Sequence, residues 1–138
     1  MVAKAAQNLK EYYNADNLIM IGHSGGALTS ATINSRVPKL IDKSILISCP
    51  CDFEKWRKMR GESVYKMKTS PHKNISGISK DSHTIIIVGK NDINTFPILS
   101  KKYHEILISK GFKSELHIIE GEHSCLLYTS PSPRDSIR

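Results

Sequence analysis

The sequence has no long apolar run, few aromatic residues and only three cysteines. No stretch approaches the roughly eighteen consecutive apolar residues that would argue for a membrane-spanning helix. The N-terminus also lacks the apolar core of a secretory signal peptide. The sequence therefore shows none of the common signs of membrane insertion or export. We expect no membrane partner and favour a cytoplasmic location.

The cysteines are too few and too poorly spaced for a zinc site. Cys49 and Cys51 form a CPC stretch with no second pair at metal-ligand spacing downstream, and Cys125 stands alone. We expect buried or loop thiols and no metal. A glycine-rich phosphate loop and a flavin fingerprint are also missing, so the sequence predicts no cofactor.

The charge is unbalanced but scattered. Twenty Lys and Arg against thirteen Asp and Glu give a formal net charge of +7, and only KWRKMR and KMKTSPHK are dense basic stretches. No interleaved aromatic platform or long basic helix accompanies them, which is what single-stranded nucleic-acid or membrane surfaces usually need. We interpret these stretches as solvated basic loops and expect no nucleic-acid partner.

Apolar runs and amphipathic stretches alternate along the chain. The predicted strands lie in LIMIG, SILISCP, TIIIVG and SELHIIEG, and the predicted helices in VAKAAQNLKEYYN, GGALTSATINSR and PILSKKYHEILISKG. Residues 52–80 are polar and irregular, which favours an excursion over the sheet or a small cap. The alternation predicts an α/β fold, a three-layer sandwich with helices on the faces of a parallel sheet.

Three chemically active residues follow predicted strands. Ser24, Asp92 and His123 each come just after one, and in open parallel sheets ligands bind at the carboxyl ends of the strands. We therefore expect these three side chains to meet at one edge of the sheet.

Ser24 lies in a G-x-S-x-G pattern made with Gly22 and Gly26. This pattern is typical of a sharp, strained turn between strand and helix that exposes the serine hydroxyl. A side chain at either glycine is expected to collide with the neighbouring strand or helix. His23, next to the serine in this tight turn, is expected to shape the pocket.

A serine hydroxyl is a weak nucleophile and needs an adjacent base, usually a histidine oriented by a carboxylate. His123 is the candidate base and Asp92 the candidate acid; a surface histidine and a turn-forming aspartate are the competing interpretations. The chain order serine, aspartate, histidine favours the catalytic interpretation. The remaining histidines are expected to be structural or solvated: His72, His83, His104 and His117.

These motifs carry a family resemblance. From Val2 to Ser124 the chain resembles the C-terminal half of an α/β-hydrolase catalytic domain, most closely the prolyl-oligopeptidase-like peptidases and related esterases. The matching stretches are GHSGG, SPHKNISGIS, IIIVGKND, ILSKKYHEILISKGF and ELHIIEGEHS. The resemblance implies a serine hydrolase acting through an acyl-enzyme, with Ser24 as nucleophile, Asp92 as acid and His123 as base. It further implies that the backbone N–H of Gly25 is an oxyanion-hole donor.

The substrate is left open. A peptide or a small-molecule ester fits the resemblance, and Gly25 stands where these peptidases usually carry an aromatic residue, which shifts weight towards a carboxylesterase. A non-catalytic binding protein on the same fold is the alternative from another class. Trp56 and Tyr65 are candidates either for pocket walls or for the core of a small cap. The sequence does not indicate an oligomeric state.

We expect the chain to divide into residues 1–124, part of a truncated α/β-hydrolase domain, and residues 125–138. The stretch CLLYTSPSPRD in the second part resembles a translated sequencing adapter. The first strands of the fold, with the loop carrying a second oxyanion donor, are expected to lie before Met1. A fragment of this kind is predicted to be inactive and either to be unstable or to aggregate, since a truncated sheet leaves an edge unpaired and an apolar face uncovered.

Overall fold

The computed structural model describes residues 1–64 and 70–124, which form four strands and four α-helices. In chain order they are α1 (Val2–Tyr12), β1 (Ile19–His23), α2 (Gly25–Arg36), β2 (Lys43–Ile47), α3 (Phe53–Met59), β3 (His83–Gly89), α4 (Pro97–Ser109) and β4 (Lys113–Ile119). Two short 3₁₀ turns, Pro71–Lys73 and Ile75–Gly77, precede β3. Residues 125–138, the predicted second part of the chain, lie outside the described residues.

The four strands form one parallel sheet in the order β1-β2-β3-β4. Their register places Ile21, Ile45, Ile85 and Glu115 side by side across the sheet. All strands therefore end at the same edge, where the loops carrying Ser24, Asp92 and His123 begin. The predicted α/β class and parallel sheet are confirmed.

Helices α1, α2 and α4 pack on the same face of the sheet. Side chains at even-numbered strand positions point to this face and form two apolar clusters with the helices. One cluster joins Leu46, Ile86 and Leu116 of the sheet to buried residues of α2 and α4, and the other joins Met20 to α1 and α2. The core therefore lies between the sheet and a single helical layer.

The opposite face of the sheet carries apolar side chains that are only half-buried or exposed. Ile21 is 65% exposed, and its register neighbours Ile45 and Ile85 are half-buried. Among residues 1–64 and 70–124, α1, α2 and α4 cover only the other face, so the third layer of the predicted sandwich is not part of the described structure. The fold seen here is a parallel sheet with one helical layer.

The polar excursion contains a helix that the sequence pattern did not predict. Helix α3 begins after Asp52, whose carboxylate accepts a hydrogen bond from the Lys55 amide at 3.0 Å, a side-chain cap at the helix N-terminus. Just before it, Cys49 and Cys51 are joined by a disulfide. The expectation of free thiols is therefore wrong for these two cysteines, because the turn after β2 brings their side chains together. Cys125 lies outside the described residues.

No helix in the described part of the chain is long and apolar enough to cross a membrane.

Candidate active site

Ser24 occupies a strained turn between β1 and α2. Its φ and ψ are 53° and −115°, in a region that residues other than glycine rarely adopt, at a typical cost of about 1–3 kcal/mol. The Ser24 amide still donates to the Ile47 carbonyl of β2 at 2.8 Å, so the strained residue is anchored to the sheet. This conformation leaves the Ser24 side chain only partly buried, next to the start of α2.

The two glycines of the G-x-S-x-G pattern, Gly22 and Gly26, differ in the space around a Cβ atom added to them. A Cβ on Gly22 would lie 2.3 Å from the carbonyl oxygen of Gly26, so only glycine lets α2 approach β1 this closely. A Cβ on Gly26 would meet no atom within 4 Å. The predicted collision is confirmed at Gly22 and wrong at Gly26, because it is the Gly26 backbone, and not its missing side chain, that touches the strand.

Asp92 lies in the loop between β3 and α4, which we call the acid loop (residues 90–96). Its side chain is fully buried. The carboxylate accepts hydrogen bonds from the amides of Asn94 (2.9 Å) and Thr95 (2.8 Å) and from the Thr95 hydroxyl (2.8 Å). Aspartates commonly form such local bonds in turns, so the competing interpretation of Asp92 as a turn residue is also realised here.

His123 lies in the loop after β4, which we call the histidine loop (residues 120–124). This loop is held against the acid loop, because the Asn91 amide donates to the Gly121 carbonyl at 3.0 Å. A Cβ on Gly89 would lie 2.4 Å from that carbonyl oxygen, so a glycine at the end of β3 is what permits the contact. The two loops therefore approach each other backbone to backbone.

The structure brings Ser24, His123 and Asp92 together in one hydrogen-bonded chain. His123 Nε2 is 3.0 Å from Ser24 Oγ, and His123 Nδ1 is 2.9 Å from Asp92 Oδ2. An ionised carboxylate only accepts, so Nδ1 carries the proton and Nε2 is free to accept from the serine hydroxyl. This tautomer is the one a general base beside a serine needs.

The electrostatics of Asp92 favour its ionised form. Burial of the carboxyl acts to raise the pKa of Asp92, but hydrogen bonds from His123, Thr95 and Asn94 outweigh that effect. The pKa of Asp92 therefore lies below its ordinary value. An ionised carboxylate beside Nδ1 stabilises an imidazolium on His123.

His23 reaches the histidine loop from the serine side. Its Nε2 lies 2.8 Å from the carbonyl oxygen of His123, and the two imidazole rings are 4.9 Å apart between centroids. His23 therefore contacts the backbone of the candidate base and not the serine hydroxyl. The sequence pattern indicated a shaping role for His23 but not this partner.

Gly25 is the first residue of α2, so its N–H has no acceptor within the helix. It is exposed beside Ser24. The partial positive charge of a helix N-terminus adds to this free donor. An anionic oxygen formed next to Ser24 Oγ could accept a hydrogen bond from the Gly25 N–H.

The sequence reasoning missed two supports of the acid loop. One is the Thr95 hydroxyl, which contacts both Asp92 and His123. The other is Trp56 of α3, whose indole N–H donates to the Asn94 carbonyl at 2.9 Å. The contact of the Thr95 hydroxyl with Asp92 had an available sequence signal, namely a threonine three residues after an aspartate. The second is a tertiary contact with no local sequence signal. Tyr65, the other candidate pocket residue, lies outside the described residues.

A second serine, histidine and aspartate also meet, below α3. Ser70 Oγ lies 2.8 Å from His72 Nδ1, and His72 Nε2 lies 3.6 Å from Asp52 Oδ1. Ser70 is fully buried, and its hydroxyl also accepts from the Phe53 amide at 3.2 Å. These bonds hold the start of α3 in place, which is the structural role expected for His72.

The other histidines lie away from Ser24. His83 and His117 lie on β3 and β4, 2.8 Å and 3.7 Å from the carboxylate of Glu115, and His104 of α4 contacts the Ser114 hydroxyl at 2.7 Å. In the described ranges no group of three or more His, Cys, Asp and Glu side chains is arranged to hold a metal ion.

A parallel sheet with a serine turn after β1, an acid after β3 and a histidine after β4 has the order of the α/β-hydrolase fold. Solved structures with this fold are similar to the chain at low sequence identity. The esterase Pf2001 of Pyrococcus furiosus has a TM-score of 0.72 at 17% identity, over 99% of this chain and 56% of the esterase. The acylaminoacyl peptidase of Pyrococcus horikoshii has a TM-score of 0.73 at 13% identity, over 97% and 24%. Dipeptidyl peptidase 4 of Porphyromonas gingivalis has a TM-score of 0.71 at 20% identity, over 92% and 20%.

The likeness shows the fold, and it confirms the resemblance to esterases and peptidases of this architecture. The chain spans about half the length of the esterases and a fifth to a quarter of these peptidases. No protein-family profile and no curated protein sequence matches the chain.

Proposed function

We propose that this protein is a serine hydrolase that cleaves an ester or peptide bond through an acyl-enzyme. The observation that supports the proposal most is the continuous chain from Ser24 Oγ through His123 to the Asp92 carboxylate, with both contacts at 3.0 Å or less. Ser24 has the strained backbone of an exposed nucleophile, His123 Nε2 is free to accept its proton, and Asp92 is a buried carboxylate beside His123 Nδ1. Each serves a different step of one reaction.

In the first half of the reaction, Ser24 Oγ attacks the carbonyl carbon of the substrate while its proton passes to His123 Nε2. Asp92 stabilises the resulting imidazolium through Nδ1. The oxyanion of the tetrahedral intermediate accepts a hydrogen bond from the Gly25 N–H. His123 then returns the proton to the leaving alcohol or amine as its bond to the carbonyl carbon breaks.

In the second half, water attacks the acyl group that is now bonded to Ser24. His123 takes one proton from this water and passes it to Ser24 Oγ as the acid product leaves. The water supplies both the hydroxyl of the acid product and the proton that returns to Ser24 Oγ, so the second half balances. The strained turn at Ser24 keeps the acylated oxygen at the sheet edge, beside the same base.

A carboxylesterase acting on small esters is our preferred form of this proposal. Gly25 follows the serine where an aromatic residue would favour the peptidases. The same residues would serve a small-molecule ester or a short peptide. The choice depends on the excursion at residues 52–80, which reaches the acid loop through Trp56.

The test is covalent labelling of the full-length gene product with a fluorophosphonate probe, which reacts with activated serines. Ser24→Ala should abolish labelling. Ser48→Ala is the matched control, because Ser48 also follows a strand and has a φ of 50°, but its side chain is fully buried. Labelling that survives Ser24→Ala would show that Ser24 is not the labelled nucleophile. No labelling of a protein with a cooperative melt would favour the non-catalytic binding protein. Acyl-ester and peptide substrates then separate esterase from peptidase.

A further inference from the structure

Thr95 is buried beside the candidate acid and has more contacts than a turn residue requires. It is 0% exposed, three residues after Asp92. Its amide donates to Asp92 Oδ1 and its hydroxyl to Asp92 Oδ2, both at 2.8 Å. The amide bond alone would close the turn, as the Asn94 amide also does at 2.9 Å. The hydroxyl bond is therefore not needed to form the loop.

The Thr95 hydroxyl also touches the candidate base. Thr95 Oγ1 lies 3.1 Å from His123 Nδ1, which itself lies 2.9 Å from Asp92 Oδ2. The three atoms form a closed triangle of contacts. A hydroxyl donates one proton and keeps two lone pairs. Because the Thr95 proton goes to the carboxylate, its oxygen can accept from the Nδ1–H that also faces Asp92.

We propose that Thr95 is a positioning residue for the acid and base of this site, an inference that rests on the proposed function. Its hydroxyl fixes the rotation of the Asp92 carboxylate and gives the Nδ1–H of His123 a second acceptor. Both effects keep the proton on Nδ1, and the tautomer of a histidine is set by the bond that its other nitrogen makes. Nε2 then stays free for the Ser24 proton.

The position of Thr95 separates this role from substrate binding. Thr95 is fully buried, whereas Ser24, whose Oγ the substrate must reach, is partly exposed. Loss of the hydroxyl should therefore slow acylation and deacylation alike, since His123 is the base in both, and leave the binding of the substrate unchanged. A change in kcat with a constant KM is the signature of a group that acts on the chemical step only.

The experiment compares Thr95→Val, which keeps the shape and removes the hydroxyl, with Thr95→Ser, which keeps the hydroxyl. The readouts are the rate of fluorophosphonate labelling across pH, and kcat and KM for a chromogenic acetyl ester. Hydrogen bonds to charged groups are strong, so we expect Thr95→Val to lower the labelling rate and kcat about tenfold or more. Thr95→Ser should stay within a few-fold of the parent protein by the same reasoning.

Thr84→Val is the matched control, because Thr84 is an equally buried threonine on β3 outside the triangle. It should label at the parent rate. If Thr95→Val does not fold, Thr95→Cys replaces it; its thiol is a weak donor and should give an intermediate rate. Parent-like labelling by Thr95→Val, or equal losses in Thr95→Val and Thr95→Ser, would overturn the proposal.

A readout without catalysis separates this inference from the proposed function. The proton on His123 Nδ1 gives a downfield NMR resonance when it is held between acceptors. Its exchange with water should be faster in Thr95→Val than in Thr95→Ser. If the folded parent protein does not label, the proposed function fails, and this exchange rate still decides the role of Thr95. Equal exchange in the two variants contradicts it.

Discussion

His23 Nε2 lies 2.8 Å from the backbone carbonyl oxygen of His123, so the residue before the candidate nucleophile holds the loop of the candidate base. A carbonyl oxygen only accepts, so Nε2 of His23 carries a proton. The serine turn and the histidine loop are thereby joined directly, in addition to the contact between Ser24 and His123.

This contact predicts that His23→Phe, which keeps a ring and removes the donor, slows fluorophosphonate labelling. One neutral hydrogen bond contributes about 1 kcal/mol, which corresponds to about fivefold in rate. His23→Gln retains an N–H donor and should lose less. Equal rates for the parent protein and His23→Phe would show that the histidine loop does not depend on His23.

The two glycines of the serine turn should respond differently to alanine. Gly22→Ala places a Cβ 2.3 Å from the Gly26 carbonyl oxygen, so α2 must shift away from β1. We expect a loss of about 1–3 kcal/mol in the free energy of unfolding, the usual cost of overpacking, or more because the contact is with backbone. Gly26→Ala meets no atom within 4 Å and should change stability by less than about 1 kcal/mol. Urea unfolding of the two variants compares them, and similar losses would contradict the packing described here.

The lowered pKa of Asp92 predicts a specific pH dependence of stability. A carboxyl whose folded-state pKa lies below its unfolded value of about 3.9 stabilises the folded state fully above that pH, and the contribution is lost as pH falls through the folded pKa. Asp92→Asn lacks this contribution. The stability difference between the parent protein and Asp92→Asn should therefore shrink as the pH falls below about 4.

Urea unfolding at a series of pH values measures this difference. The exposed Asp16 provides the control, since Asp16→Asn removes a carboxylate from the surface of the protein. A difference between the parent protein and Asp92→Asn that stays constant with pH would show that the folded state does not favour the ionised carboxylate.

The sheet face that the described helices leave uncovered predicts that the isolated chain associates. Ile45 and Leu46 are neighbours on β2 that point to opposite faces, and Leu46 is 1% exposed whereas Ile45 is half-buried on the open face. Ile45→Ala should lower light scattering by the isolated chain with little loss of folded signal. Leu46→Ala should cost about 2–5 kcal/mol and unfold it. A cooperative melt of the isolated chain, at normal solubility, would contradict the expectation that it is unstable or aggregates.

The strands and the larger helices could be predicted because each has a strong local pattern. The apolar run TIIIVG and the helical spacing in α4 are sufficient without tertiary information. Ser24, Asp92 and His123 were identifiable as a set because each follows a strand, and parallel strands end at one edge. The distances between these three side chains could not be predicted, because they depend on how two loops close over the sheet.

Other features have no local signal. Helix α3 is short and is held by a cap at Asp52 and by the bond from Trp56 to the acid loop, a contact over 38 residues. Which face of the sheet the helices cover also has no local signal, since the pattern of a strand does not indicate whether a helix packs on each side of it. The contact of Thr95 with His123 depends on both loops at once.

The distance in sequence between Ser24 and His123 has a consequence for how the protein is made. These residues are 99 positions apart and follow β1 and β4, the outer strands of the four-stranded sheet described here, about 14 Å apart at the usual strand spacing. During synthesis the serine turn therefore emerges long before the histidine that would activate it. Under the proposed function, a nascent or partly folded chain holds an unactivated serine, and hydrolysis begins only when β4 has joined the sheet.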